Sequence, residues 1–446
     1  MKPSGYTNTK ARMDGFVLVL LGSLGFLALC FLIFVTENQG RSLVDFRVSY
    51  TAARCLLQNG DPYNPEELIG VFRDVNGVVP SDAYGDYILH VETKYFYLPT
   101  VFVVTVPFAV LPFPIAQIAW ILMIAASCIL ASFLMWRLAS ENAPLLSGAL
   151  LGFYLVNSMS SVIWGNSAGI ATSFCVIAVW CFLRNRFVLS GVLCLAVSLL
   201  LKPHDSGLVW LCLLLLGGTQ RKRAFQTLAV VAASAIPVLV RLTFIAPHWT
   251  QEMGSNYAAL SGRGAINDPG PASDLARGAC MLTNLQSVFG VFWDEPHFYN
   301  LATYLLCIFL LLAWMWTALR TRPTREQTWF LLASIAAFSM LPVYHRLYDA
   351  RLIILCIPAF SLLWIRRGVI RWLALLVTAA AFLSTSDLPW VAYLFTVSKL
   401  HLATTGFSGE LQIVAKAFPV PLILLCTGTF FLVVALRNNR GPAPLP

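Results

Sequence analysis

Charge is what this sequence has least of. Asp, Glu, Lys and Arg make up only 11% of its 446 residues, against about 25% in soluble globular chains. That shortage excludes a water-soluble enzyme of one or several compact domains. A phosphate-binding P-loop and a dinucleotide glycine fingerprint are also missing, which argues against an ATP-driven pump. There is no CxxC pair and no Cys/His cluster at metal-ligand spacing, so neither a structural zinc site nor any other metal cage is expected. No segment alternates as the strand of a transmembrane barrel does. Most of the eleven cysteines lie in apolar runs, where Cys behaves as a small hydrophobe. Cys55 and Cys280 fall in long polar segments and are the one candidate disulfide.

What the chain has in abundance is apolar sequence. Hydrophobic residues reach 58% and the mean hydropathy is +0.73. A membrane-spanning helix takes about 20 mainly apolar residues, so the length allows about a dozen spans with long loops between them. Candidate spans lie near 15–36, 97–137, 147–163, 167–183, 187–201, 204–219, 224–246, 301–319, 327–343, 350–365, 371–385 and 418–436. The stretch 97–137 is too long for one helix and is broken by Pro107, Pro112 and Pro114, which leaves one or three crossings open. Lipid offers the backbone no hydrogen-bond partner, so these segments must be closed helices. Lys2, Lys10 and Arg12 precede the first run, but no small-residue cleavage site follows it, and it reads as a retained first helix. The expected fold is an all-α polytopic membrane protein, one integral domain over 1–446. Its long loops are 37–96, 247–300 and 386–417, with a disordered tail at 441–446.

With the N-terminus in the cytoplasm and 97–137 counted as one crossing, the basic clusters fall on one side. The inner side holds 17 Lys and Arg against three acidic residues, the outer side 13 against 18, as the positive-inside rule requires. The net charge of +9 is therefore a topology signal, and no nucleic-acid partner is expected. All six histidines land outside, so any chemistry is extracytoplasmic.

Five outer segments carry polar groups that need an account. The first runs from Val44-Asp45-Phe46-Arg47 to Gly60-Asp61-Pro62-Tyr63. Its apolar residues recur at helical spacing over 46–57, which predicts an amphipathic helix lying in the membrane interface. Asp45 stands at its start, either as a helix cap or as a carboxylate held at the surface as a general base. Next, Lys94-Tyr95-Phe96-Tyr97 reads as interfacial anchoring, with Lys94 also within reach of a lipid phosphate. Trp164-Gly165-Asn166 puts a polar amide at a helix hairpin. Lys202-Pro203-His204-Asp205 interrupts one long apolar run, and ionisable groups at such depth are functional candidates by default. A structural Lys202–Asp205 pair is the alternative. Last, Tyr344-His345-Arg346-Leu347-Tyr348-Asp349-Ala350-Arg351 concentrates more charge than a helix turn needs.

The order of these motifs resembles glycosyltransferase family 87, membrane enzymes of GT-C fold. It runs from an Asp-Phe in the first outer loop through A-A-x-x-L-L-x-x-G-x-P-Y and Y-x-P to W-G-N, Lys-Pro and a late outer His, within roughly residues 15–365. The resemblance implies a polyprenyl-phosphate-linked sugar, commonly mannose, as donor, and a glycolipid or glycan as acceptor. It implies a cell-envelope enzyme in the plasma membrane of a bacterium, with its active site on the extracytoplasmic side. Asp45 matches the family's catalytic acidic position, His345 the histidine beside the acceptor, and Lys202 the lysine suited to the lipid phosphate. Arg346 and Arg351 are candidate helpers at that phosphate, while Asn166, His204, Tyr97 and Lys94 are candidate substrate contacts. The family's usual Gly-Gln turn reads Gly165-Asn166 here. The mechanism expected is inverting and metal-independent, without a cofactor, and 247–300 is expected to shape the acceptor groove. A transporter or flippase for polyprenyl lipids or small molecules is the alternative. It predicts matching broken helices in two halves, and Lys202 has no such counterpart near residue 400.

Overall fold

The computed structural model describes residues 5–36, 43–77, 79, 81–277, 281–320, 324–389, 391 and 406–438. Cys280 and the tail at 441–446 lie outside them, as does most of the segment between 390 and 405. Among the described residues there are helices and no strand. In chain order the α-helices are α1 Gly5–Thr36, α2 Val44–Leu57, α3 Pro65–Asn76, α4 Ala83–Tyr87, α5 Phe102–Ala109, α6 Phe113–Ala139, α7 Pro144–Val156, α8 Met159–Ile163, α9 Ala168–Arg184, α10 Val188–Leu201 and α11 Pro203–Leu216. They continue with α12 Gly218–Ile245, α13 Trp249–Ser261, α14 Pro271–Arg277, α15 Gln286–Phe292, α16 Pro296–Arg320, α17 Arg325–Phe338, α18 Cys356–Trp364, α19 Val369–Ser384, α20 Gly406–Ala417 and α21 Pro419–Asn438. Six of these, counting Pro144–Ile163 as one, are long and apolar enough to cross a membrane, and the chain is a multi-pass membrane protein.

Proline explains the break inside 97–137. A short 3₁₀ turn, Pro99–Val101, leads into α5, and Pro112 and Pro114 restart the chain as α6. The eleven residues Pro99–Ala109 extend only about 16 Å at 1.5 Å per residue, roughly half of a 30 Å hydrocarbon core. Only α6 is long enough to cross.

Packing separates a centre from a rim. α9 and α17 are buried along nearly their whole length, around Trp314, Trp329 and Phe360. α1, α12 and α16 turn Leu21, Phe31, Phe244, Leu301 and Phe309 outward, as helices facing lipid do. α1 crosses α7 at glycines. A Cβ built on Gly22 would stand 2.6 Å from Gly152 Cα, and one on Gly152 2.6 Å from the Leu18 carbonyl oxygen. Backbone approach this close requires small residues, the usual solution for helix pairs in lipid.

The segments read as cytoplasmic meet one another at one end. Arg12 donates to the Ser140 carbonyl, Arg223 to Asn185, and Arg366 to both Glu326 and Asn438. Asp45, Asn166, Lys202 and Asp349 gather elsewhere, around one cavity.

α2 forms over the expected stretch, and ten of its 14 residues are buried against the rest of the protein. Phe46 stacks on Trp120 at 4.7 Å and meets Phe108 and Phe113. Its polar side closes off the end of α5, whose last carbonyls lack helical partners. Arg54 donates to the Ala109 carbonyl at 2.9 Å, and Tyr50 to that of Leu111 at 2.7 Å. Arg47 is buried in a two-pronged pair with Glu92, at 2.9 and 3.0 Å.

Candidate active site

Asp45 does not cap its helix. Leu43 holds that position in the left-handed region, φ 57°, without a side-chain cap, and Asp45 lies within the first turn. The W-G-N turn clamps that turn. Leu43 N donates to the Ile163 carbonyl at 2.7 Å, Asp45 N to that of Trp164 at 2.9 Å, and the Trp120 indole to that of Gly165 at 2.8 Å. Gly165 has φ +61°, and a Cβ there would meet Leu43 Cδ2 at 2.7 Å. Asn166 is thereby brought to the carboxylate, and its Nδ2 donates to Asp45 Oδ2 at 2.6 Å. Its own oxygen accepts from Ala168 N at 2.9 Å, which fixes which end of the amide faces Asp45.

Burial pushes the Asp45 carboxyl up to about 6, against the opposing pull of the Asn166 hydrogen bond and the Lys202 charge. Desolvation penalises the ionised form more than those partners favour it. The group is therefore ionised, but still basic, near neutral pH.

Lys202 fills the gap between α10 and α11. Pro203 opens α11, and the lysine adopts φ −148°, ψ 82°, outside the helical region. Its ammonium lies 2.5 Å from Asp349 Oδ1, with both side chains buried, and 5.5 Å from the centre of the Tyr348 ring. The expected alternative partner, Asp205, is not the one it bonds. Asp349 Oδ2 accepts from Arg346 N at 2.8 Å.

These groups share a cavity of about 520 Å³, lined by Asp45, Lys94, Tyr97, Asn166, Lys202 and His204 together with Glu92, Tyr344, Tyr348 and Asp349. That is an ordinary volume for a small-molecule site. The loop 247–300 supplies part of its wall through Met253, Tyr257, Ile266 and Asn267. Asn256 anchors this wall, donating to the carbonyls of Tyr63 and Tyr95 at 2.8 and 3.0 Å. A second, apolar cavity of about 360 Å³ adjoins the first, sharing Pro203, His204 and Val343 and running along α16 past Tyr304, Cys307 and Ile308.

Three expected site residues do not line the cavity. His345 is fully buried behind it; its Nδ1 bonds the Val343 carbonyl at 2.9 Å and its Nε2 faces Asp205 Oδ1 at 3.2 Å. Arg346 is committed to Tyr344 and to the Ile266 carbonyl. Arg351 is buried against Asp387 at 2.9 Å and bonds Ser160 and the Asn157 carbonyl, so it serves packing at the joint of α7, α8 and α19. Tyr344, Tyr348 and Asp349, which the sequence offered only as members of a charged cluster, are the ones that reach the cavity.

The chain matches the model of glycosyltransferase family 87 over residues 95–343, more than half its length. It belongs to that family, and it is a membrane glycosyltransferase. The matched segment contains Tyr97, Asn166, Lys202 and His204; it begins after Asp45 and stops two residues before His345. No curated protein and no solved structure matches the chain.

Proposed function

We propose that this glycosyltransferase moves a sugar, mannose in the first instance, from a polyprenyl-phosphate donor to a glycolipid or glycan acceptor, on the extracytoplasmic face of a bacterial plasma membrane. The observation that carries the reading is the cavity in which a basic carboxylate, Asp45, and a buried ammonium, Lys202, face the same space. Transfer with inversion needs those two functions. Asp45 takes the proton of the acceptor hydroxyl as its oxygen bonds the anomeric carbon. The bond from that carbon to the phosphate oxygen breaks, and polyprenyl phosphate departs with the electron pair. A carboxyl group tuned to about 6 is well matched to such a base, a role worth about 10²–10⁴-fold. Lys202 stabilises the charge that grows on the leaving phosphate.

The adjoining apolar cavity supports a lipid-linked donor. Its α16 wall belongs to the lipid-facing rim, and it meets the polar cavity at Pro203 and His204, so an isoprenoid chain has an apolar course that ends beside Lys202. The charge asymmetry of the loops supports the extracytoplasmic placement of the cavity.

The test is transfer of radiolabelled mannose from polyprenyl-phosphate-mannose to total host lipid and glycan in membranes containing the protein. Wild type yields a labelled product, and Asp45→Asn reduces its rate at least 100-fold at unchanged protein level. A product that persists in Asp45→Asn removes the carboxylate from the role of base, and a chain active only with another donor overturns the assignment of the sugar.

A further inference from the structure

His204, Asp205 and His345 form a group that the transfer reaction as described does not use. Asp205 and His345 are wholly buried, while the His204 side chain is 43% exposed and lines both cavities. Asp205 Oδ1 lies 3.3 Å from His204 Nε2 and 3.2 Å from His345 Nε2, and one donor atom from each residue falls within 4.8 Å of the others.

The contacts have ion-pair distances without hydrogen-bond geometry. Both carboxylate oxygens of Asp205 and Nε2 of His345 are buried with no hydrogen-bond partner. Leaving such groups unsatisfied is costly, the more so when they are charged. His345 Nδ1 bonds a backbone carbonyl, which only accepts, so Nδ1 carries a proton. Nε2 then meets the carboxylate through a cation, either a second proton on the ring or a metal ion shared with His204.

We infer that His204, Asp205 and His345 bind a divalent transition metal, with zinc as the ion that fits best. Two imidazole nitrogens and one carboxylate oxygen are a usual three-residue set for zinc with an open fourth position, whereas Mg²⁺ and Ca²⁺ prefer oxygen ligands. Donors at zinc bonding radii of about 2.0–2.2 Å stand about 3.3–3.5 Å apart around a tetrahedron, close to the separations of 3.2 and 3.3 Å seen here. The Val343 carbonyl on His345 Nδ1 is the outer contact that metal-binding histidines ordinarily make. Because His204 alone of the three lines the cavity, the open position faces the cavity side. Residue spacing does not reveal this set, because its third member comes from the turn after α17, 140 positions beyond Asp205.

The inference does not depend on the sugar or the donor, so binding is read without an activity assay. The full-length protein is purified in detergent without a polyhistidine tag, stripped with chelator and dialysed against ZnCl₂, and bound zinc is counted by mass spectrometry. One zinc per chain is expected, undiminished by equal concentrations of Mg²⁺ or Ca²⁺. His204→Ala, at a partly exposed position, is expected to keep its fold and to lose affinity at least 100-fold, and His345→Gln likewise. Co²⁺ in the wild type should give the strong visible bands of a four-coordinate ion, absent from His204→Ala. Failure of the wild type to hold zinc, or equal zinc in wild type and His204→Ala, would overturn the site and leave an imidazolium–carboxylate pair in its place.

Discussion

Lys202 and Asp349, 147 positions apart, meet through a 2.5 Å contact between buried side chains. Removing one partner of such a pair strands the other's charge, while replacing both with apolar residues is often neutral. Lys202→Met alone should therefore lower thermal stability, and Lys202→Met with Asp349→Leu should recover much of it. Transfer should stay depressed by about 10²–10³-fold in both, the usual cost of a lost electrostatic donor to a developing anion. Differential scanning fluorimetry beside the transfer assay separates the two effects; recovery of activity in the double variant would make Lys202 purely structural.

The pH profile should report Asp45. Its carboxyl is held up to about 6 by burial, and a base works only when ionised, so kcat/KM should be flat above that pH and fall tenfold per unit below it. Asn166 donates to the ionised form and so lowers the value. Asn166→Leu should move the acidic limb to higher pH. A limb that stays in place would detach the profile from Asp45.

Asp387→Leu should cost stability without touching chemistry. It removes the partner of buried Arg351 and the acceptor of Ser160 N and Oγ, a loss of about 3–5 kcal/mol for a broken buried pair. The folded fraction should keep its KM and kcat, since neither residue lines the cavity. A raised KM for donor at full folding would restore Arg351 to the phosphate site.

Gly165→Ala should cripple transfer from a position that touches no substrate. The left-handed backbone at φ +61° costs a non-glycine residue about 1–2 kcal/mol, and the added methyl collides with Leu43 and Phe46. Displacing that first turn carries Asp45 away from Asn166. At least a tenfold loss of kcat is expected with helix content by circular dichroism unchanged.

The helices were legible because lipid forces apolar runs of a readable length, and prolines mark where they break. The proposed sidedness rests on charge being scarce enough to count. Contacts across long separations were not. The W-G-N turn stood out as polar, yet nothing in it names Asp45, 121 positions away. Asp45 looked like a cap because a carboxylate before a helical stripe usually is one, and only the left-handed Leu43 moves the helix start ahead of it. Arg351 looked functional because a buried arginine paired with Asp387 and one waiting for phosphate have the same sequence signature.

The glycine crossing of α1 and α7 has a bearing on synthesis. Gly152 follows Gly22 by 130 positions, so at about 5–20 residues per second the ribosome takes roughly 6–26 s to produce the partner. Through that interval the flat glycine face of α1 stays uncovered, while α6, made earlier, can already pack on it through Phe133 and Trp136 against Phe16. The joint between α1 and α7 is thus closed from the C-terminal side, by α7 arriving at a helix already in place.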